Sequence, residues 1–440
     1  MSVRARALAL LAILEGVLPA LAVDGVVGSR SPSPTTYAIQ YHVTISARRF
    51  ATAAVRWQLA GIDEIRRVRL RLDGNRFYAV RGSGTVERNG SEIVWTPGGP
   101  YARLEYEVRL RHRRAPGKGY DAYATSKFWI GRAQDLFPRT TLTFELDVER
   151  KPSSSAEVHF HLPPGWQAYT AMERTAPSSF RPLHTGKHLD RPTGWIALGR
   201  LEAAERRIGR TRVQVVKTAA SGLDVPRLLE LYEKALPLLT GMLHNAPATL
   251  LIVSGANPMW RGGLSGESSI FLHGARPIRT PDRTSPPLHE LFHVLAPFRP
   301  GPDGHWVTEG LAEYYSLDLQ RRVGMLDDAD YRKGLALFER YGHWKVNLAA
   351  AKDLAATNNS APLVLAAIDH RLRSRSDGRR GLDDAVRSIA TEGGRISTAR
   401  FLRAVNETAK ADFTSFFQRH VYAGVPPELP ELSTRREDTP

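Results

Sequence analysis

The sequence predicts an α+β chain of several domains, with an N-terminal antiparallel β-sandwich in front of a mainly helical domain. Three observations carry that prediction. From about Tyr37 to Val216 apolar residues recur at every second position, whereas after Ser221 they recur at helical spacing. The chain has 440 residues, 42% of them hydrophobic, which suffices for two or three domains with cores of their own. With 36 Gly, 29 Pro and no Cys it is neither collagen-like nor held by disulfides. The lack of Cys also removes thiolate nucleophiles and thiolate ligands, so a metal site must be built from His and carboxylates.

The first expected element is a leader. Arg4 and Arg6 precede an apolar stretch from Ala7 to Leu18, interrupted by Glu15, and Ala20-Leu21-Ala22 supplies small residues where a signal peptidase reads them. Residues 1–22 are expected to be a signal peptide cleaved after Ala22, which would deliver the protein to the periplasm or the exterior. No later apolar run is long enough to span a bilayer, so no stable membrane span is expected after cleavage. Residues 23–220 then read as the sandwich domain. Leu104, Tyr106, Val108 and Leu110 alternate with Arg103, Glu105, Glu107 and Arg109, and Leu142, Phe144, Leu146 and Val148 alternate with Thr and acidic residues. Further strands are expected at 37–45, 68–72, 158–162, 195–198 and 213–216, between turns rich in Gly, Pro and Ser.

The boundary is expected near residue 220. Pro226 suits a first helical turn, and Leu228, Leu229, Leu231, Tyr232, Leu236, Leu238 and Leu239 keep an apolar face, which predicts a helix over 225–243. A strand is expected at 249–253, and the rest, to about residue 428, reads as mainly helical. Residues 429–440 are Pro-rich and charged and read as a tail. The formal charge is +16, from 61 basic and 45 acidic residues. The strongest basic runs, Arg111 to Lys118 and Arg371 to Arg380, lie in Gly- or Ser-containing stretches that read as solvated loops, so nucleic acid is not expected as a partner.

One pentapeptide carries chemistry. In His289-Glu290-Leu291-Phe292-His293 the two histidines stand four apart, so on a helix both imidazoles leave one face. Ser285 is placed to cap that helix, with Pro286 and Pro287 in its first turn. Glu290 lies beside the pair, where a carboxylate reaches a metal-bound water instead of the metal. A third ligand is expected from a second helix within residues 303–315. There Glu309 would complete a two-His, one-carboxylate zinc site for one ion, and Glu313, one turn on, would accept a hydrogen bond from the far nitrogen of a ligating His. Gly310 between them allows two helices to approach closely. His159 and His161, two apart on a strand, read as exposed strand histidines, and His305 and His370 as ordinary surface or packing residues. Ser265 and Ser268 have no His–acid partner in sequence, and Arg261-Gly262-Gly263 is not a phosphate loop.

The same residues carry a family resemblance. HExxH followed by Trp306-Val307-Thr308-Glu309-Gly310 resembles the gluzincin zinc metallopeptidases, in particular the glycyl-aminopeptidase-like branch related to the aminopeptidase N family. Leu162-Pro163-Pro164-Gly165-Trp166, Gly262-Gly263-Leu264, Pro362-Leu363-Val364, Leu382-Asp383-Asp384 and Phe416-Phe417 fall in that family's order. The resemblance implies a thermolysin-like catalytic domain over 221–428, a peptide or protein substrate lying along Gly262, Gly263 and Leu264, and hydrolysis with Glu290 as general base and acid. Three positions depart from the family pattern. Ser265 and Gly266 stand where relatives have the Glu-His that holds a free peptide N-terminus, and Asn358 stands where they have the Tyr that donates to the oxyanion. Asn358 is therefore the expected oxyanion donor, and the alternative function is a degenerate relative that binds peptides or a partner without cleavage.

Overall fold

The computed structural model describes residues 36–430 except 62–64, 73–75, 100, 145–152, 184–187 and 354. The expected leader, most of the expected tail, and Leu146 and Val148 lie outside the described residues.

Ahead of residue 200 the described chain is almost entirely β. A seven-stranded sheet runs in the order Glu173–Ala176, Ser179–Arg181, Ser153–His161, Thr36–Thr44, Thr52–Ala60, Tyr101–Arg109, Phe77–Gly82. A four-stranded sheet runs Arg139–Phe144, Ile65–Arg71, Glu92–Thr96, Thr85–Asn89, and a five-stranded one Gln167–Thr170, Trp195–Gly199, Phe128–Arg132, Tyr120–Ala124, His112–Arg113. The period-two pattern is realised as burial: in Thr52–Ala60 the residues Ala53, Val55, Trp57 and Leu59 point inward and are buried. Inward residues of all three sheets, such as Tyr41, Trp57, Val68, Trp95, Trp129 and Ile196, share one core. The sequence predicts an antiparallel arrangement, but Thr36–Thr44 pairs parallel with Ser153–His161. Alternation reports which face is buried and is blind to the direction of the partner strand.

A further five-stranded sheet follows, in the order Glu202–Ile208, Thr211–Lys217, Thr249–Gly255, Ser269–His273, Gly263–Gly266. Helix α1, Val225–Leu243, crosses between the parallel strands Thr211–Lys217 and Thr249–Gly255. Asp224 caps α1 by accepting from Arg227 N. Thr211–Lys217 thus belongs by hydrogen bonding to the sheet that follows the change of periodicity. Gly263–Gly266 and Ser269–His273 are strands where helix had been expected; runs of four and five residues, one with two glycines, are too short for periodicity to register.

The remainder is mainly helical, with α2 (Pro286–Leu295), α3 (His305–Arg322), α4 (Asp328–Tyr341), α5 (Ala361–Arg375), α6 (Leu382–Glu392), α7 (Thr398–Ala409) and a short turn of helix at Thr414–Phe417, and with one small parallel sheet of Phe298–Pro300 and Gly394–Ile396. Arg371 to Arg375, expected in a loop, form the last turn of α5. Helix α3 is the axis of this part, with residues buried on nearly every side, which explains why it lacks an amphipathic pattern. A small core of Ile130, Tyr169, Trp195 and Ala197 against Val216, Leu251, Val253, Met259 and Phe271 joins the front sheets to the later one. Among the described residues no helix is long and apolar enough to cross a membrane.

Candidate metal centre and cleft

Helix α2 buries Leu288, Leu291, Phe292 and Leu295 and turns His289, Glu290 and His293, all half-buried, to the other side. Ser285 sits at its N-cap position but does not cap with its side chain, which instead donates to Ile278 O at 2.8 Å. The prolines that follow lack N–H groups, so the first turn has fewer donors to satisfy. Tyr232 OH of α1 donates to Pro287 O at 3.0 Å and fixes the start of α2 from behind. Helix α3 is held at its own start by Trp306, whose Nε1 donates to Thr398 Oγ1 at 2.9 Å and whose ring packs on Phe401 and Phe417. A Cβ on Gly310 would lie 2.8 Å from Ala361 Cβ, so α3 meets α5 at contact distance there and its preceding residue, Glu309, is aimed at α2. Phe292 stacks on Tyr315 with centroids 5.4 Å apart and ties α2 to α3.

Three donor atoms converge between these helices. His293 Nε2 lies 3.1 Å from His289 Nε2, and Glu309 Oε2 lies 3.5 Å from the former's partner His289 and 3.4 Å from His293. Ligands held about 2.0–2.2 Å from a zinc ion at tetrahedral angles stand about 3.3–3.6 Å from one another, so this donor set fits one such ion. It is the one set of three His or acidic side chains with this convergence among the described residues. Behind it, His289 Nδ1 and Glu313 Oε2 are 2.7 Å apart, which makes Nδ1 the donor and leaves Nε2 facing His293 and Glu309. Burial disfavours a charge on His289, but hydrogen bonds to Glu309 and Glu313 outweigh it and hold the imidazolium well above its ordinary pKa. Burial likewise opposes ionisation of Glu309, and hydrogen bonds from His289 and His293 hold its carboxyl well below the usual range.

The donors open on a cleft of ≈ 560 Å³. Glu290, Glu313, Gly262, Gly263, Leu264 and Asn358 all line it. Gly263–Gly266 is the edge strand of its sheet, and a Cβ on Gly263 would stand 2.7 Å from Glu290 Oε1, so the glycine makes the space the carboxylate occupies. Trp195 Nε1 donates to Leu264 O at 3.0 Å and Trp195 N to Ser269 Oγ at 2.8 Å, which pins this hairpin from the front sheets. Asn358 lies in a π-helical turn, Ala356–Ser360, that leads into α5, and Thr357 Oγ1 donates to its Oδ1 at 2.9 Å, leaving the amide nitrogen as donor. Ser265 lines the cleft and Glu267 does not.

Sequence reasoning missed several liners. Arg114, from a run read as solvated loop, reaches the cleft with its guanidinium 4.7 Å from the ring of Trp260, another liner. Arg276, beyond the hairpin, lines it too. No local pattern marks these positions, since loops from separate parts of the chain bring them together. His305 lines the cleft from the first turn of α3, whereas His370 lies in a separate depression beside Phe413 and Phe416. His159 and His161 flank His42 on the outer face of the seven-stranded sheet, where His42 Nδ1 and His161 Nε2 are 3.1 Å apart.

A β-rich front, a mixed sheet and a helical remainder around a His–His–Glu donor set define a class of architecture known from solved structures. The chain has the fold of aminopeptidase N family and M1 zinc metallopeptidase structures. An aminopeptidase N family protein from Idiomarina loihiensis superposes with a TM-score of 0.71 at 17% identity, covering 90% of this chain and 78% of that one. An M1 zinc metallopeptidase from Deinococcus radiodurans gives 0.55 at 14% identity over 90% and 95% of the two chains. Legionella pneumophila aminopeptidase A, in complex with aspartic acid, gives 0.56 at 12% identity over 90% and 50%. No family model matches the sequence, and neither does any curated protein. At these identities the likeness establishes the fold.

Proposed function

We propose that the protein is an exported zinc metallopeptidase that hydrolyses peptide bonds, with a thermolysin-like catalytic part over residues 221–428 behind a β-sandwich over 23–220. The observation that carries this is the convergence of His289 Nε2, His293 Nε2 and Glu309 Oε2 to within 3.1–3.5 Å of one another beside Glu290. Zinc held there would polarise the scissile carbonyl and ease ionisation of a water. Glu290 takes a proton from the attacking water on its carboxylate and passes it to the nitrogen of the leaving amine. Glu313 keeps His289 in the tautomer that offers Nε2. Gly262, Gly263 and Leu264 present an edge strand on which an extended peptide can pair, and Gly263 keeps Glu290 close to that strand. Asn358 donates its amide to the oxygen on which charge develops, a contribution of about 10²–10³ in rate for a donor of this kind. The M1 metallopeptidase of Deinococcus radiodurans has been captured with a Tyr-Ser-Ala substrate, which supports a peptide as substrate here.

The test separates metal from chemistry. Purified protein should carry about one zinc per chain, and His293→Ala should lose it. Glu290→Gln should retain zinc and lose peptide cleavage. Cleavage of a broad peptide library by Glu290→Gln would remove the proposed base. Zinc-loaded wild-type protein that turns over no peptide would favour the alternative of binding without cleavage.

A further inference from the structure

The front β part contains a second cavity, of ≈ 550 Å³, remote in sequence from the metal centre. That volume lies within the roughly 300–1,000 Å³ of small-molecule sites. Among the described residues its charged walls are unbalanced: Arg71, Arg76, Arg139 and Arg191 face one carboxylate, Asp135. Asp135 is already committed, with Oδ1 2.8 Å from Arg76 Nη1 and Oδ2 accepting from Arg132 N at 2.9 Å. The other three guanidiniums have no carboxylate within ion-pair distance among the described residues.

Their placement is built into the fold. Arg71 and Arg139 are direct cross-strand partners between Ile65–Arg71 and Arg139–Phe144, an arrangement in which like charges repel. Glu92 is the partner of Arg71 on its other side but forms no ion pair with it. Arg191 follows Leu189 and Asp190, two consecutive non-glycine residues with φ of 58° and 52°, a conformation that L-residues adopt only under constraint. Arg191 is half-buried, and among the described residues its one hydrogen bond is a long one of 3.4 Å to Phe137 O. Burial and the neighbouring Arg139 both disfavour its charge. Arg71 and Arg139 are exposed, so water screens part of their repulsion, and the half-buried Arg191 carries the desolvation cost; an anion seated among the three would relieve both.

We propose that this cavity binds a phosphate group, held by Arg71, Arg139 and Arg191. Planar guanidiniums offer paired N–H donors that match phosphate oxygens, and three of them suit a dianion better than a single carboxylate. Leu72 and Phe77, both buried, give the cavity an apolar side, so the ligand is a phosphate ester with a small organic body or the headgroup of a lipid. This inference does not depend on the peptidase reading.

The experiment uses the full chain and two probes, inorganic phosphate in solution and phosphatidylcholine vesicles containing phosphatidic acid. Calorimetric titration with phosphate should saturate and should raise Tm with concentration. The double variant Arg71→Ala/Arg139→Ala should weaken binding at least tenfold, whereas His293→Ala should retain it, which excludes the metal centre as the site. Without phosphate, Arg139→Gln should be at least as stable as wild type, because it removes the repulsion, and the phosphate-free Tm of the double variant, measured alongside, should show that lost binding is not lost folding. Binding to vesicles but not to free phosphate would assign the lipid headgroup as the source. No saturable binding of either probe, or binding that survives the double arginine substitution, would overturn the proposal.

Discussion

Glu313 touches no substrate in the proposed reaction, yet it decides which nitrogen His289 presents. With the carboxylate 2.7 Å from Nδ1, the proton stays on that side and Nε2 is left for an ion. Glu313→Gln should therefore lower zinc affinity by about 10–100-fold while leaving the fold intact, measured by competition with a chromogenic chelator. Wild-type affinity in that variant would mean that packing alone orients the ring. A second prediction follows from charge. In metal-free protein His289 is held protonated by Glu309 and Glu313 despite its burial, so an incoming ion must displace a proton. Apparent zinc affinity should rise with pH until the raised pKa of His289 is passed, and calorimetry in buffers of different ionisation enthalpy should record proton release at neutral pH. At this scale the pairs His289/His293 and Glu309/Glu313 were legible as pairs because each keeps a one-turn spacing on its own helix, whereas their convergence belongs to the packing of α2 on α3. Arg114, Trp260 and Arg276 were not, because their relation to the cleft depends on where distant loops come to rest.

Elements place the cleft by close approach. Gly263 on the edge strand leaves room for the Glu290 carboxylate, and any Cβ there would meet Oε1 at 2.7 Å and Cγ at 2.8 Å. The atoms it meets belong to a half-buried side chain that can swing away, so Gly263→Ala should change Tm little while misplacing Glu290. Peptide hydrolysis should fall by at least tenfold, mostly in kcat, with zinc content unchanged; a variant of normal kcat would show that Glu290 has room to spare. Helix α1 matched its expected bounds of 225–243 because Pro226 and the apolar face agree over nineteen residues. The edge strand itself gave no such signal. Gly-Leu-Ser-Gly has low strand preference, and its conformation comes from pairing with Ser269–His273 and from the indole of Trp195.

At the scale of the whole described chain there are three cores, and the smallest couples the others. The change of periodicity near residue 220 does not mark the joint, since Thr211–Lys217 looks like any half-buried strand and only its parallel pairing with Thr249–Gly255 reveals its allegiance. Trp195 is the central residue of that joint. It is buried, stacks on Phe271 with centroids 5.0 Å apart, and hydrogen-bonds Leu264 O and Ser269 Oγ on the hairpin that borders the cleft. Removing the ring altogether should cost about 3–5 kcal/mol, as for buried aromatic truncations generally, so Trp195→Ala would confound folding with function. Trp195→Phe is the cleaner probe. Its ring still covers Phe271, but Leu264 O loses its donor, at a cost of about 1–3 kcal/mol for a carbonyl left unpaired. If the front sheets hold the edge strand in register for a peptide, this variant should stay folded with zinc bound, raise KM and lower kcat/KM, and leave chelator competition unchanged. Wild-type kcat/KM alongside a lowered Tm would show instead that the joint serves stability alone and that the edge strand is positioned by α2 and its own sheet.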